Sequence, residues 1–395
     1  MPHPPRIALA HDWLCGFRGG EAVLDRLAQL LAREFGGAAA LYVMTDDGRP
    51  LSPAIDALPR RVSFLSALPG GATRMRRWLL PLYPRAVESL SARLAADHAR
   101  EPIDLLVSTS SAAIKGLRPP AGVPHLCYCH SPARYIWSQT EQYAGGLRGV
   151  GLLLARARFM RWDRATAANV TQFVANSTYT ARQIARCFGR EAVVVHPPVR
   201  TDSFTPDASV AREDFWLCVG ALEPYKRFDL AIDAAAVAGR RLVIAGGGSH
   251  ERALRAHAQR AAQQSRARVE FLGRVSDEQL RDLYRRAAVL LFPQIEDFGI
   301  VAVEAQACGL PVIAAATGGA GGALDSVIDG RTGALVRDAT PRGLALAAQD
   351  VEHRARTDAA VWLRACRENA ERFSERAFDD AMRERIRRLL PASAG

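Results

Sequence analysis

Short, nearly all-apolar strings recur along the chain, each followed by a longer stretch with apolar residues every three or four positions. In the first half they are IALA from Ile7, LYVM from Leu41, DLLVS from Asp104, HLCYC from His125, FVANS from Phe173 and AVVVH from Ala192. In the second half they are FWLCVG from Phe215, RLVIAG from Arg241, VEFLG from Val269, AVLLF from Ala288, PVIAA from Pro311 and GALV from Gly333. Strands that are apolar on both faces belong to buried parallel sheets. The segments between them, such as EAVLDRLAQLLAREF and DEQLRDLYRRA, carry the 3.6-residue period of covering helices. The pattern predicts an α/β chain of two Rossmann-like, doubly wound domains. It breaks at HPPVRTDSFTPD, from His196, where three prolines and polar residues interrupt the periodicity. The expected domains are therefore 1–200 and 201–371. Residues 372–395 form a basic amphipathic C-terminal helix whose candidate partner is the first domain.

Several strand ends carry loops suited to an anionic ligand. LVIAGGG places Gly246, Gly247 and Gly248 at the carboxyl end of a strand, where open α/β sheets bind ligands. No glycine pattern here is GxGxxG, so a dinucleotide cofactor has little support. In VGALEPYKRFDLAIDAA, from Val219, Lys226 and Arg227 stand at the start of a helix. Free N–H groups and the positive end of the helix dipole favour phosphate there.

The richest segment is FPQIEDFGIVAVEAQACGLPVIAAATGGAGG, from Phe292 to Gly322. A strand gives way to Glu296, Phe298 and Gly299, then to a helix that begins near Ile300 and carries Glu304. Gly299 permits close backbone approach, so amides from Phe298 to Val301 can face an anion. Glu296 and Glu304 are acceptors for separate sets of sugar hydroxyls. Glu304 sits in a small, apolar run where an unpaired charge is costly.

These segments, together with CHSPARYIW and ANSTYTARQI of the first half, occur in the order and spacing of a known family. The chain resembles, over nearly its whole length, the glycosyltransferases of family 4. That resemblance implies the GT-B architecture, two Rossmann-like domains facing a central cleft, and a nucleotide-sugar substrate with no cofactor and no metal. It implies that Lys226 binds the donor diphosphate, and that Glu296 holds hydroxyls of the transferred sugar under the loop of Phe298, Gly299 and Ile300. Glu304 then binds the nucleoside ribose, and Val275 lies where backbone groups hold the base. Gly246 belongs to the donor loops. Gly19 and Gly20, in GFRGGEAV, match the glycine loop that approaches donor phosphate and acceptor, and His130 matches a residue lining the reacting centre. Many relatives carry an arginine where this chain has Ala221, and Arg227 is the candidate replacement for its charge.

The expected catalytic residues are thus His130, Lys226 and Glu296, acting with retention of anomeric configuration. The leaving diphosphate is stabilised by fixed charge and dipoles. HDWLCGFRGGE, from His11, resembles the opening of bacterial transferases that build O-antigen, capsule or exopolysaccharide. The expected reaction is mannosyl transfer from GDP-mannose to a lipid-linked or growing surface glycan. A UDP-sugar donor, a nucleotide-sugar epimerase and a noncatalytic glycan-binding module are the alternatives.

Composition adds less. The opening MPHPPRIALAHDW lacks a basic region followed by a long apolar run, which predicts a cytoplasmic protein. Seven scattered cysteines predict free thiols, and Cys127, Cys129 and His125 are expected as buried strand residues before metal ligands. Asp46 and Asp47 are expected in a turn. The formal charge of +11 suits a polyanionic partner, and no nucleic-acid module is present, so phosphorylated substrates or an anionic membrane face remain. RMRRWLLPLYPR, from Arg74, and LLLARARFMRWDR, from Leu152, interleave cations with aromatics and predict peripheral contact with anionic lipid.

Overall fold

The computed structural model describes residues 4–72, 79–137, 148–317 and 321–391. The chain divides into two compact units, Met1–Pro198 with Phe378–Gly395, and Val199–Ala377. Arg74, Arg76, Arg77 and Trp78 of the first basic segment lie outside the described residues, as do Gly318 and Gly319.

The first unit is built on a seven-stranded sheet in the order β3-β2-β1-β4-β5-β6-β7. Its strands are β1 (Ile7–Leu14), β2 (Ala38–Asp46), β3 (Arg60–Val62), β4 (Leu105–Ser110), β5 (His125–Cys129), β6 (Gln172–Ala175) and β7 (Ala192–Val194). The second holds a six-stranded sheet in the order β10-β9-β8-β11-β12-β13. Here the strands are β8 (Phe215–Val219), β9 (Arg241–Ala245), β10 (Arg268–Gly273), β11 (Val289–Phe292), β12 (Val312–Ala315) and β13 (Gly333–Val336). Neighbours run parallel throughout both sheets. Each sheet is doubly wound as the periodicity predicts, and every apolar string of the sequence forms a strand. The addition is β3, whose RRV is half-buried along its length and carries no apolar signal.

In both sheets the strand order reverses once, between β1 and β4 and between β8 and β11. The crevice outside the carboxyl ends of strands at such a reversal is where doubly wound folds take ligands.

At the first reversal a buried carboxylate organises the loop after β4. Asp12, on β1, is fully buried and accepts backbone N–H bonds from Ser111 and Ala112 on Oδ2 and from Ala113 and Ile114 on Oδ1, at 2.6 to 2.9 Å. A buried ion pair, Lys115 with Asp163 at 2.8 Å, anchors the helix Arg148–Thr166. Trp137 Nε1 donates to the same carboxylate at 2.8 Å, so both of its oxygens face a donor.

The helix Glu375–Leu389 carries the chain back into the first unit. Phe378, Met382 and Ile386 join the core of Leu24, Leu27 and Leu31 on the helix Gly19–Glu34. Asp379 receives a two-pronged bond from Arg26, both contacts 2.8 Å, and Arg383 grips Glu34. All seven cysteines are free thiols. His125 Nε2 pairs with Ser108 Oγ at 2.7 Å, and burial pushes its pKa down to about 3, so it is a neutral strand residue. Asp46 and Asp47 accept from the amides of Gly48 and Arg49 in a turn.

The described aromatics of the two basic segments, Tyr83, Phe159 and Trp162, pack into a core. Tyr83 and Phe159 are buried and meet edge to face at 6.2 Å, with Trp162 against Phe159 at 5.2 Å. They close a core and are not interfacial anchors, which leaves Arg158, Arg161 and Arg164 as the exposed cations of the second segment among its described residues. Among the described residues no helix is long and apolar enough to cross a membrane.

Candidate functional site

The second unit gathers its chemistry at the reversal between β8 and β11. From β8 the chain turns at Gly220 and passes through a 3-10 turn, Pro224–Lys226, into the helix Phe228–Ala238. Lys226 is 8% exposed, and its ammonium forms an ion pair with Glu296, which follows β11. A cation this desolvated needs an anion beside it. The ammonium lies close to Gly220, 3.9 Å from where a methyl on that residue would stand.

Arg227 diverges from its neighbour. It is the non-glycine residue at positive φ among the described residues, with φ 53 and ψ 37, and its exposed guanidinium turns to Asp229 at 3.3 Å. The left-handed backbone explains why adjacent cations do not share a direction. Arg227→Ala is expected to change kcat/KM by less than about threefold, as for an exposed, screened pair. Steady-state kinetics checks this, and a tenfold loss would place Arg227 on the substrate.

Two glycines are required by geometry alone. A methyl on Gly246, at φ 138, would stand 1.9 Å from the carbonyl oxygen of Gly220, so β8 and β9 can end side by side only because Gly246 is bare. Gly299, at φ 90, opens the helix Ile300–Ala307, and a methyl there would meet the Phe292 ring at 2.6 Å. Phe298 is buried against Phe373, ring centroids 5.5 Å apart. The amide of Gly322 donates to Glu296 O at 2.7 Å and fixes the loop that presents this carboxylate.

Glu304 lies one turn into the helix, partly buried, and receives a hydrogen bond from Tyr284 Oη at 3.2 Å. Burial raises its pKa to about 7, against the lowering effect of Arg200 and of the Tyr284 hydroxyl. Val275 packs on the same core just before the helix Asp277–Arg286, whose N-terminus Ser276 and Gln279 cap. Sequence reasoning singles out neither Tyr284 nor Arg200, because both stand in polar, helix-like or linker surroundings with no motif around them.

Gly19, Gly20 and His130 belong to the first unit, at the reversal between β1 and β4. Gly19 and Gly20 open the helix Gly19–Glu34. A methyl on Gly20 would stand 3.8 Å from both His11 Cε1 and His130 Nε2, so two imidazoles border the helix N-terminus at Gly20. His130 Nε2 is buried without a hydrogen-bond partner. Burial first, then His11 and Arg134, push the His130 pKa down to about 3 and keep the ring neutral. His11, which sequence reasoning leaves without a role, pairs through Nδ1 with Thr109 Oγ1 at 2.5 Å. Its signal is visible in hindsight: HD inside a strand that is otherwise apolar. Among the described residues no group of three or more His, Cys, Asp or Glu is gathered as a metal site.

Two family profiles match in succession: Glycosyltransferase Family 4 over residues 17–203 and Glycosyl transferases group 1 over residues 200–377. The chain belongs to the family 4 glycosyltransferases. Among curated members it is similar to the D-inositol 3-phosphate glycosyltransferase of Mycolicibacterium smegmatis, 44% identical over 157 residues, 36% of this chain and 36% of that protein. The match spans 35% to 49% of the length of the first curated relatives.

Solved structures extend the likeness to nearly the whole chain. Sucrose-phosphate synthase from Thermosynechococcus elongatus superposes with TM-score 0.74 at 22% identity, covering 98% of this chain and 99% of that one. The Anabaena protein HepE, in complex with UDP-glucose, gives TM-score 0.69 at 19% identity, covering 96% and 99%. At this identity the likeness establishes the fold, which is GT-B, as expected of a family 4 glycosyltransferase.

Proposed function

We propose that this family 4 glycosyltransferase moves a hexosyl group from a UDP-hexose to a lipid-linked or growing bacterial surface glycan, with retention of configuration. The observation that carries the reading is the desolvated Lys226 ammonium, held by Glu296 at the reversal between β8 and β11. A diphosphate is the natural second anion for that cation. Glu296, freed in part as phosphate arrives, accepts from hydroxyls of the transferred sugar. Glu304 accepts from the ribose, and the second unit is the donor domain, Val199–Ala377. The first unit, with Gly19, Gly20 and His130, receives the acceptor.

In the transfer step the bond from the anomeric carbon to the diphosphate oxygen breaks and a bond to the acceptor hydroxyl oxygen forms. The acceptor proton passes to the departing diphosphate, on the same face of the sugar. Charge accumulates on the leaving oxygens, where the Lys226 charge lowers the barrier. His130, kept neutral, can accept a hydrogen bond from a sugar hydroxyl through Nε2.

The donor reading shifts here from GDP-mannose to a UDP-hexose, because the related HepE structures hold UDP, UDP with glucose, and UDP-glucose. A thermal-shift screen of UDP-glucose, UDP-galactose, UDP-N-acetylglucosamine and GDP-mannose tests it. Stabilisation by a UDP-hexose, followed by slow release of UDP on incubation, is the expected result. Preferential stabilisation by GDP-mannose would restore the mannosyl reading, conversion of the sugar without UDP release would indicate an epimerase, and no shift with any of the four would leave a noncatalytic module.

Membrane contact in this proposal rests on exposed cations, Arg158 and Arg161 among them. Co-sedimentation with anionic liposomes is expected to fall as salt rises from 50 to 300 mM, which shortens the Debye length about 2.4-fold. Salt-independent binding would remove the electrostatic contact.

A further inference from the structure

Glu304 is embraced by residues that no part of the donor reading uses. Tyr284 is fully buried in the helix Asp277–Arg286, and its hydroxyl donates to Glu304 Oε2 at 3.2 Å. Phe204 meets the Tyr284 ring edge on, with centroids 5.7 Å apart. Arg200 lies over the Phe204 ring at 5.5 Å and donates to Asp277 Oδ2 at 2.7 Å, which closes the chain of contacts at the first residue of the same helix. The segment 200–204 and one helix thus form a bracket around a single carboxylate.

A nucleoside ribose presents two vicinal hydroxyls, both donors, and an ionised carboxylate with free lone pairs is the acceptor that can take both. A neutral carboxyl would offer its own proton in competition. Tyr284 fixes one oxygen and stabilises the charge, while the Arg200 guanidinium supplies the opposite charge. We propose that Tyr284 is a positioning residue, and Arg200 its charge partner, that together hold Glu304 ionised and aimed for the ribose of the donor. The inference rests on the nucleotide-sugar reading and adds to it the two residues that tune its nucleoside contact.

The groups around Glu304 pull in different directions. Burial favours the neutral carboxyl and is the largest effect, Arg200 and the Tyr284 hydroxyl favour the carboxylate, and Asp277 opposes it, leaving a pKa of about 7. Cys308, which caps the C-terminus of the helix Ile300–Ala307, stays a neutral thiol because burial raises it to about 12. If the ribose binds the carboxylate, affinity rises with pH up to the free-state pKa and levels off above it. Loss of either Tyr284 Oη or Arg200 moves that midpoint upward.

The test is isothermal titration of the full chain with UDP-glucose between pH 5.5 and 8.5, with GDP-mannose in parallel. Neither diphosphate diester titrates in this range, so the pH dependence belongs to the protein. Wild type should gain roughly tenfold in affinity from pH 6 to 8, and Glu304→Gln should flatten the curve. Tyr284→Phe, which keeps the ring, should weaken binding about fivefold at pH 7 and recover toward pH 8.5. Arg200→Gln, an exposed site, should shift the midpoint the same way. Wild-type curves in both Tyr284→Phe and Arg200→Gln would overturn the positioning role. Binding that is flat with pH and indifferent to Glu304→Gln would remove Glu304 from the ribose while leaving the donor reading intact. No binding of either nucleotide sugar would overturn the donor reading itself.

Discussion

Lys226→Ala is expected to lower kcat/KM for the UDP-hexose by roughly a thousandfold, the scale on which single groups that stabilise transition-state charge act. The ammonium is nearly sealed from water, so its field on a leaving diphosphate is screened much less than that of an exposed lysine. Removal does two things at once. It withdraws the positive charge, and it leaves Glu296 as an uncompensated carboxylate beside incoming phosphate. Most of the loss should therefore appear in kcat, with a further rise in KM from repulsion. Lys226→Arg keeps the charge but brings a planar, bulkier group into a space bordered by Gly220, and should recover only part of the rate. Adding Glu296→Gln to Lys226→Ala should restore some donor binding without restoring turnover. Circular dichroism would confirm that the fold persists. Turnover of Lys226→Ala within threefold of wild type would dismiss the lysine from the reaction.

Asp12→Ala should cost about 4 kcal/mol in the first unit, since four backbone N–H groups, three of them fully buried, would lose a charged acceptor together. No other carboxylate is described on these amides, and the loop sits too deep for bulk water to replace it. Asp12→Asn keeps one carbonyl oxygen and should lose about half as much. Hydrogen exchange read by mass spectrometry resolves the effect in place. Amides of residues 111–114 should exchange faster by roughly two to three orders of magnitude, while those of the helix Ile300–Ala307 in the other unit keep wild-type protection. Uniform loss of protection through both units would show a global collapse in place of the local one.

The inner strands of the sheets were legible because they are buried on both faces, so a run such as HLCYC declares itself without help from its surroundings. β3 was not, since an edge strand of three residues with two arginines looks like any polar turn. Glu304 stood out because a charge in IVAVEAQACG asks for an explanation. Asp12 offered the same clue inside β1, but its purpose depends on a loop about a hundred residues later in sequence, which no periodicity encodes. The partnership of Lys226 with Glu296 is of that second kind. Each residue is flagged by its own motif, yet the ion pair exists because β8 and β11 are neighbours across a reversal of strand order. Arg227, adjacent in sequence to Lys226, is turned toward Asp229 by one left-handed backbone residue, a direction that sequence adjacency does not encode.

Phe378, Met382 and Ile386 complete a core begun by residues near the start of the chain. During synthesis the first unit must therefore wait, its hydrophobic seam open, until Phe378, Met382 and Ile386 have left the ribosome. The second unit, continuous from Val199 to Ala377, can fold before the first is finished. A fragment ending at Pro198 would keep that seam open permanently and be prone to clump, whereas 199–377 is the piece that can be cut out and studied alone.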